Sequence, residues 1–467
     1  MKKKDLKKLD VLFFHCPVTF NKKTDLILDH PLMGSLYLAA ILEKAGFTVE
    51  IFENRDCFLN LYESLKFIQK KKPRILALSS FTSNIRGNYQ LADAVKKNFG
   101  KEIIIALGGP HISSDPGIIK RFPVFDFGVT QEGEITFPKL VKKIINDGQK
   151  IKGVFKGETP LNLDFFPMPS RHLVDWGRYK AFRTHNIMAS RGCPFHCVFC
   201  SIPSIDRKTR YRSPQLVVDE IEETQKYIKG LYFTFLDDTL TLNKKFFAAV
   251  CDGIIKRGLK IKFEGHTRAN LLDEKLIKKM RKAGCDEIIF GVESGSERIR
   301  NEVIKKGISD EDIMKAINLC KKYKIKPDLY LMLGFPGETE SEMMATVNYP
   351  QKVRPNIFGL HITVPLPGAD IWEKSLKEGI VNKDTIDQYI KGELGEGFNE
   401  NWPVYVPQGM TIKKLEELQN LAYKKYYFQP KYIWGRFLRD ISSLTDLKRD
   451  FREAFNLVKM GHASYLE

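Results

Sequence analysis

Several things are missing from this sequence, and each absence narrows what it can be. No apolar run approaches the length that a bilayer span needs, so a membrane-spanning protein is not expected. The lysine-rich start Met1-Lys2-Lys3-Lys4 leads into an expected strand instead of the apolar core of a secretory signal, which places the expected location in the cytoplasm. There is no long-period repeat and no low-complexity tract. With 43% hydrophobic and 28% charged residues the composition is that of an ordinary globular protein, and disorder is not the reading. Acid is scarce relative to base: 75 Lys and Arg against 57 Asp and Glu leave a net charge of +18. That excess raises the question of an anionic partner such as nucleic acid, a phosphorylated cofactor or a lipid headgroup. The lysines are spread over helix faces and not gathered in one arm, so the charge reads as solvated surface and nucleic acid is not an expected partner. Cysteine is too sparse for a disulfide framework, with eight in 467 residues. Three of those eight nevertheless fall within eight residues, and that crowding is the feature to explain.

A chain of this length predicts two or three cores. Residues 1–150 alternate short apolar strands, at Asp10–Phe14, Thr48–Glu53, Arg74–Ser79, Ile103–Leu107 and Phe125–Thr130, with amphipathic helices around Met33–Ala45, Leu59–Gln69, Asn88–Asn98 and Glu134–Ile145. The pattern predicts an α/β domain, a doubly wound parallel sheet covered on both faces. Ligands of such sheets lie beyond the carboxyl ends of the strands. The loops there are Pro31–Ser35, Ser79–Asn84, Gly108-Gly109-Pro110-His111 and Gln131-Glu132-Gly133-Glu134, rich in Gly and Ser. Residues 151–184, with prolines at 160, 167 and 169, read as a linker. A second alternation fills 185–384, with strands near Ile187–Ser190, Leu231–Leu236, Lys260–Thr267, Glu287–Val292, Asp328–Leu333 and Ile357–Val364. Ser213-Pro214 and the capping box Thr339-Glu340-Ser341-Glu342 each predict a helix start. Six such units predict a partial (β/α)6 barrel with chemistry at its C-terminal face. Residues 385–467 read as helical, basic and aromatic, as in Tyr423-Lys424-Lys425-Tyr426-Tyr427-Phe428, and as a candidate lid.

Directly after the first strand of the second domain comes Arg191-Gly192-Cys193-Pro194-Phe195-His196-Cys197-Val198-Phe199-Cys200. Three thiolates from one loop can hold three irons of a cubane and leave the fourth open to a ligand. A structural zinc ion wants four closed ligands, and only His196, placed awkwardly between two cysteines, could supply a fourth. This Cys-x3-Cys-x2-Cys loop after a barrel's first strand resembles the radical S-adenosylmethionine (SAM) superfamily. The resemblance implies a [4Fe-4S] cluster on Cys193, Cys197 and Cys200 that chelates SAM and cleaves it reductively, and a reduced flavodoxin or ferredoxin as electron donor. It places Phe199 near adenine. Asp237 and Asp238, in Phe235-Leu236-Asp237-Asp238-Thr239, are expected near the amino end of SAM. Arg268, in His266-Thr267-Arg268, is expected at its carboxylate, and Glu293, in Gly291-Val292-Glu293-Ser294, at a ribose hydroxyl. Gly334-Phe335-Pro336-Gly337-Glu338 and Pro365-Leu366-Pro367-Gly368-Ala369 resemble turns of the same face.

A five-stranded parallel domain ahead of such a barrel is similar to the cobalamin-binding domain of one large branch of that superfamily. That resemblance implies cobalamin, with Met33, Gly34, Ser79, Ser80, Thr82, Gly108, Gly109, His111, Glu132, Gly133 and Glu134 as its contacts. Cobalamin domains that put a histidine on cobalt carry Asp-x-His-x-x-Gly, and Asp29-His30-Pro31-Leu32-Met33-Gly34 misses that spacing. A histidine on the lower cobalt face is therefore not expected, and His15 and His111 read as satisfied loop histidines. The related methylthiotransferases have a second cluster on three front-domain cysteines. Here only Cys16 and Cys57 are present, and Cys251, Cys285 and Cys320 read as buried structural thiols. The implied activity is methyl transfer to an unactivated carbon or phosphorus centre of a small-molecule or lipid-like substrate. Two alternatives stand beside it: a cyclase or rearrangement enzyme with the same cofactors, and a basic RNA-binding module with a zinc loop.

Overall fold

In this computed structural model, residues 9–21, 28, 30–179, 184–227, 232–430, 432 and 434 are described. Met1–Lys4, Asp29, Leu231 and the end of the expected C-terminal helices beyond residue 434 lie outside them. The first sheet contains β1 (Val11–His15), β2 (Val49–Glu53), β3 (Ile75–Ser79), β4 (Ile104–Gly108), β5 (Phe127–Thr130) and β6 (Gly153–Lys156). Its order is β2-β1-β3-β4-β5-β6, parallel throughout. β6 comes from the segment read as linker, where its alternating exposure at the sheet edge leaves no apolar run to see. Strands buried on both faces explain the continuous apolar runs of β1, β3 and β4. One face packs against the helices Met33–Lys44 and Thr136–Ile145. The opposite face is covered by Leu61–Lys71 and Ile85–Phe99, and also by Trp372, Ile386, Tyr389 and Trp402, so the chain returns to the front sheet after the barrel.

The strands that follow are β7 (Thr184–Ile187), the short antiparallel pair β8 (Ser190–Arg191) and β9 (Arg210–Tyr211), then β10 (Tyr232–Phe235), β11 (Lys262–Thr267), β12 (Cys285–Glu293), β13 (Lys326–Leu333) and β14 (Phe358–Ile362). β7 and β10 to β14 form one parallel sheet in sequential order, with β7 and β14 at its two edges, which is the expected open six-stranded barrel. The first strand ends three residues earlier than the apolar run Ile187–Ser190 suggested, because Ser190 and Arg191 leave the sheet to pair with β9. Ser213 and Thr339 cap helices as their motifs predict. The helix Ile412–Tyr427 closes the free edge of β14. The Tyr427 and Tyr423 hydroxyls accept from the Phe358 and Leu360 amides, each at 2.8 Å, and Gln419 donates to the Leu360 carbonyl at 2.6 Å. The tyrosine-rich run thus covers an exposed strand edge that would otherwise recruit another chain. No helix among the described residues is long and apolar enough to cross a membrane.

The two domains are joined by buried ion pairs. Arg191, two residues before Cys193, meets Glu134 at 2.5 Å and Glu132 at 3.5 Å, and Arg210 pairs with both Glu132 and Asp206. Farther out, Arg171 and Arg212 share Glu220 with the Tyr37 hydroxyl of the front domain.

Candidate cofactor sites between the two sheets

The C-terminal ends of both sheets open onto one cavity of about 460 Å3. From the front sheet it is walled by the loops after β1, β3, β4 and β5, including Met33, Gly34, Ser79, Gly108, Gly109, Glu132, Gly133 and Glu134. From the barrel it is walled by Met188, Ser190, Arg191, Gly192, Leu236 and Asp238. It sits at the β1/β3 position, where the strand order reverses and doubly wound sheets hold their ligands. Glycine is required at 109, where φ is +100° and a Cβ would stand 2.7 Å from the Ser80 carbonyl oxygen. At Gly34 and Gly108 a Cβ would meet nothing within 4 Å, so these positions leave a broad open cradle for a large flat group.

Three expected contacts lie behind that wall. The Ser80 hydroxyl donates to the Gly108 carbonyl at 2.7 Å, and Thr82 bonds the buried His111 ring at 3.1 Å. Burial pushes His111 down to about 4, so it is neutral, and its Nε2 has no partner. Glu132 and Glu134 are on the wall but bound to Arg191 and Arg210. His15 is locked between Glu53 (3.2 Å) and Ser35 (2.8 Å), away from the cavity. His30 is on the wall, its carbonyl taken by Arg55.

The cysteine loop begins at Gly192, whose φ of +85° and closeness to the Lys208 carbonyl exclude a side chain. It is anchored from Val198 N–H to the Ile304 carbonyl and from Ile371 N–H to the Val198 carbonyl. Cys193, Cys197 and Cys200 are all half-buried and reduced, and the charge on each disfavours charge on the next. Burial pushes the Cys200 thiol up to about 12 and raises Cys197, so these sulfurs ionise on binding metal. Three thiolates from one loop suit a cubane, in which each iron takes one thiolate at a separate corner, better than a closed zinc site, which wants four ligands.

Around this loop the structure gathers the expected SAM contacts, with differences. Phe199 packs against Phe335 of the Gly334–Glu338 turn, ring centroids 6.1 Å apart. Arg268 is buried, stacked 3.7 Å over the Phe195 ring, and its Nε has no partner. Glu293 sits at the register shift between β12 and β13 with φ of +69°, an unfavourable conformation for a residue with a side chain, and it accepts from Lys306 at 2.8 Å. Asp237 departs from expectation: its oxygens accept from Ala189 N–H (3.1 Å) and Ser190 Oγ (2.5 Å), bracing the start of the cysteine loop. Asp238 is on the cavity wall, and Asn243 caps the helix that follows. Sequence reasoning missed Lys306, Phe195, Arg191 and Arg210. A basic residue beside the cysteine motif was the available signal for Arg191, and nothing sets Lys306 apart from the other lysines.

The profile of the Radical SAM superfamily matches residues 187–349, and that of the B12 binding domain matches 25–141. An uncharacterized methyltransferase of Pyrococcus horikoshii is 30% identical over 421 residues, 86% of this chain and 89% of that protein. An anaerobic magnesium-protoporphyrin IX monomethyl ester cyclase of Rubrivivax gelatinosus is 25% identical over 457 residues, 92% of this chain and 79% of that one. Among solved structures, the cobalamin-dependent S-adenosylmethionine radical enzyme OxsB, with aqua-cobalamin and S-adenosylmethionine bound, superposes with a TM-score of 0.69 at 17% identity. The match covers 94% of this chain and 72% of that one, a likeness of fold.

Proposed function

This chain belongs to the radical SAM superfamily, in the branch that carries a B12-binding domain ahead of the barrel, and from that premise we propose that it methylates an unactivated centre of a small molecule. Its cofactors are a [4Fe-4S] cluster, SAM and cobalamin. The observation that carries the proposal is the cavity walled by the strand ends of the front sheet and by the ends of β7 and β10 in the barrel, at the root of the cysteine loop at Gly192, because methyl transfer needs the two cofactor sites to lie next to each other.

When bound, the cluster supplies the electron that splits a sulfur–carbon bond of SAM, and cobalamin carries the methyl group. The chain does the rest. Cys193, Cys197 and Cys200 each offer one thiolate and leave a fourth corner open. Arg268, buried and incompletely bonded, offers charge-assisted hydrogen bonds to the SAM carboxylate, and Glu293 accepts from a ribose hydroxyl while Lys306 holds it in place. Asp237 fixes the entry of the cysteine loop, and Arg191 and Arg210 fix that loop against the front domain. Phe13, Leu38, Phe137, Met188 and Leu236 give the chamber an apolar wall that excludes water. The electron comes from a small reduced carrier such as a flavodoxin or ferredoxin, and the site of action is the cytoplasm.

The cyclase-named relative, aligned over nearly the whole chain, supports a second reading: the same cofactors with no methyl transfer. Product mass under anaerobic turnover separates the two. Methylation adds one carbon derived from SAM, and a product without that carbon, formed with 5′-deoxyadenosine, would establish cyclisation or rearrangement.

A further inference from the structure

On the face of the barrel sheet turned away from its helices, three acidic side chains stand side by side near the starts of their strands. They are Glu264 on β11, Glu287 on β12 and Asp328 on β13. The alternate positions Phe263, Ile288 and Leu329 belong to the core under the helices. Glu264 and Glu287 are register partners, and Asp328 pairs with Ile289, two residues along from Glu287. Three carboxylates this close repel one another, and a partly buried setting weakens the screening by water.

Neutral donors serve only part of the row. Glu264 accepts from the Thr234 hydroxyl at 2.8 Å and the Tyr232 hydroxyl at 3.1 Å. Asp328 Oδ1 accepts from Asn356 at 2.9 Å and from the Ile357 N–H at 3.0 Å. Asp328 Oδ2 is buried and receives no N–H or O–H donor among the described residues. The Asp328 carboxyl hydrogen-bonds the Glu287 carboxyl. Two ionised carboxylates only accept, so that bond requires a proton on one of them.

Cations do not take the proton's place. Lys326 of β13 meets Asp286 at 3.2 Å, and Lys262 of β11 and Arg281 of the helix Glu274–Ala283 lie 3.9 Å from the same carboxylate. Among the described residues none of Glu264, Glu287 and Asp328 forms an ion pair. Lys326 favours ionisation of Glu287, but burial first, and then the bond to Asp328 and its charge, holds the Glu287 carboxyl well above the usual range. Burial raises Asp328 and Glu264 as well. The remaining titratable groups about the row are Tyr330, the Cys320 thiol behind Asp328 and, farther along the strands, His266 and His361, whose basicity burial lowers.

We propose that Glu287 and Asp328 form a proton lock at the base of the barrel: one shared proton ties β12 to β13, and its release to solvent on the alkaline side loosens these strands. The lock lies at the opposite end of the sheet from the cysteine loop, so it governs stability and not the cofactor chemistry. The sign follows from the raised carboxyl. Its stabilisation is complete below the ordinary carboxylate range and is lost as pH rises through the folded-state value, by up to about tenfold in the folded-to-unfolded ratio per pH unit.

Glu287→Gln tests it, because the amide still donates to Asp328 but carries no titrating proton. Wild type and variant are compared as anaerobically reconstituted full chains. In thermal melting between about pH 6 and about pH 9 the wild type should lose ground to the variant, the ratio of their folding constants moving by up to about tenfold per unit. At about pH 8 the wild-type infrared spectrum should hold a protonated-carboxyl stretch that the variant lacks, a band that a merely structural role would not move. Asp328→Asn carries the same two expectations and decides the matter if the first variant fails to fold. Melting temperatures that run parallel across the range, or an infrared difference without a protonated-carboxyl band in a folded variant, overturn the proposal.

Discussion

The two parallel sheets present their C-terminal ends to one cavity, yet they dispose of buried charge in opposite ways. Among the described residues, the front-domain carboxylates Glu53, Glu132 and Glu134 near the site all have cations. Glu53 is held by Arg55 at 2.9 Å and His15 at 3.2 Å, with the Tyr179 hydroxyl at 3.0 Å, and Glu132 and Glu134 are bound by Arg191 and Arg210. Burial alone would raise the Glu53 carboxyl, but His15 and Arg55 hold it well below the usual range. In the barrel the balance reverses. Burial pushes Asp237 up to about 6 against the hydrogen bonds it accepts from Ser190 and Ala189, and burial raises Glu264 with Glu287 adding to it. Arg268 keeps an unbonded Nε. The front domain is a bowl with settled charges that receives its cofactor by shape, with glycine where the bowl must be shallow. The barrel holds Asp237 and Glu264 with neutral donors and leaves Arg268 incompletely bonded.

The sharpest way to break this comparison is at the cysteines. Replacing Cys193, Cys197 or Cys200 by Ala should abolish cluster assembly and 5′-deoxyadenosine formation, because the site needs all three thiolates. Hydroxocobalamin uptake should persist. Iron and sulfide analysis beside cobalamin absorbance checks both, and loss of cobalamin with the cluster would show that the regions are not separable.

Next in size is Glu53→Ala, which strands Arg55 and His15 in the front domain and should cost about 3–5 kcal/mol of stability in denaturant titration. The pH dependence has a definite sign. The folded-state Glu53 is more acidic than the unfolded one, so its stabilisation is complete above the ordinary carboxylate range and is lost as pH falls through the folded value. The melting temperatures of wild type and Glu53→Gln should therefore converge on acidification, and divergence would contradict the assignment.

Smaller effects belong to the barrel. Arg268→Ala or Glu293→Gln should each weaken SAM binding by about 1.5–3 kcal/mol by calorimetry with iron content intact. Unchanged affinity in both would return them to structural roles. Smallest of all, His30→Ala should leave the absorbance spectrum of bound cobalamin unmoved, and a shift would place a histidine on cobalt.

How far the sequence disclosed this arrangement depends on what each residue's role rests on. The five front strands and six barrel strands were legible because burial on both faces leaves unbroken apolar runs, and the cysteine loop because its spacing is chemistry in one stretch of chain. Strand β6 was illegible, since an edge strand four residues long alternates exposed and half-buried positions. Asp237 was placed at the right strand end, but its direction depends on Ser190, 47 residues earlier. Lys306 acts through Glu293 at the bulged end of β12 and Arg210 through Glu132 of the front domain, and Glu264 and Glu287 read as ordinary strand residues until the register sets them side by side. The aromatic run at 423–427 looked like lid material and proves to be the cover of an open strand edge.

The account stands most directly on the metal content of the chain purified without oxygen and reconstituted with iron, sulfide and hydroxocobalamin. It predicts about four iron and four sulfide per chain with one cobalt bound, little zinc, and SAM-dependent formation of 5′-deoxyadenosine. Zinc without sulfide, or a cluster-loaded chain that takes up no cobalt, would contradict it.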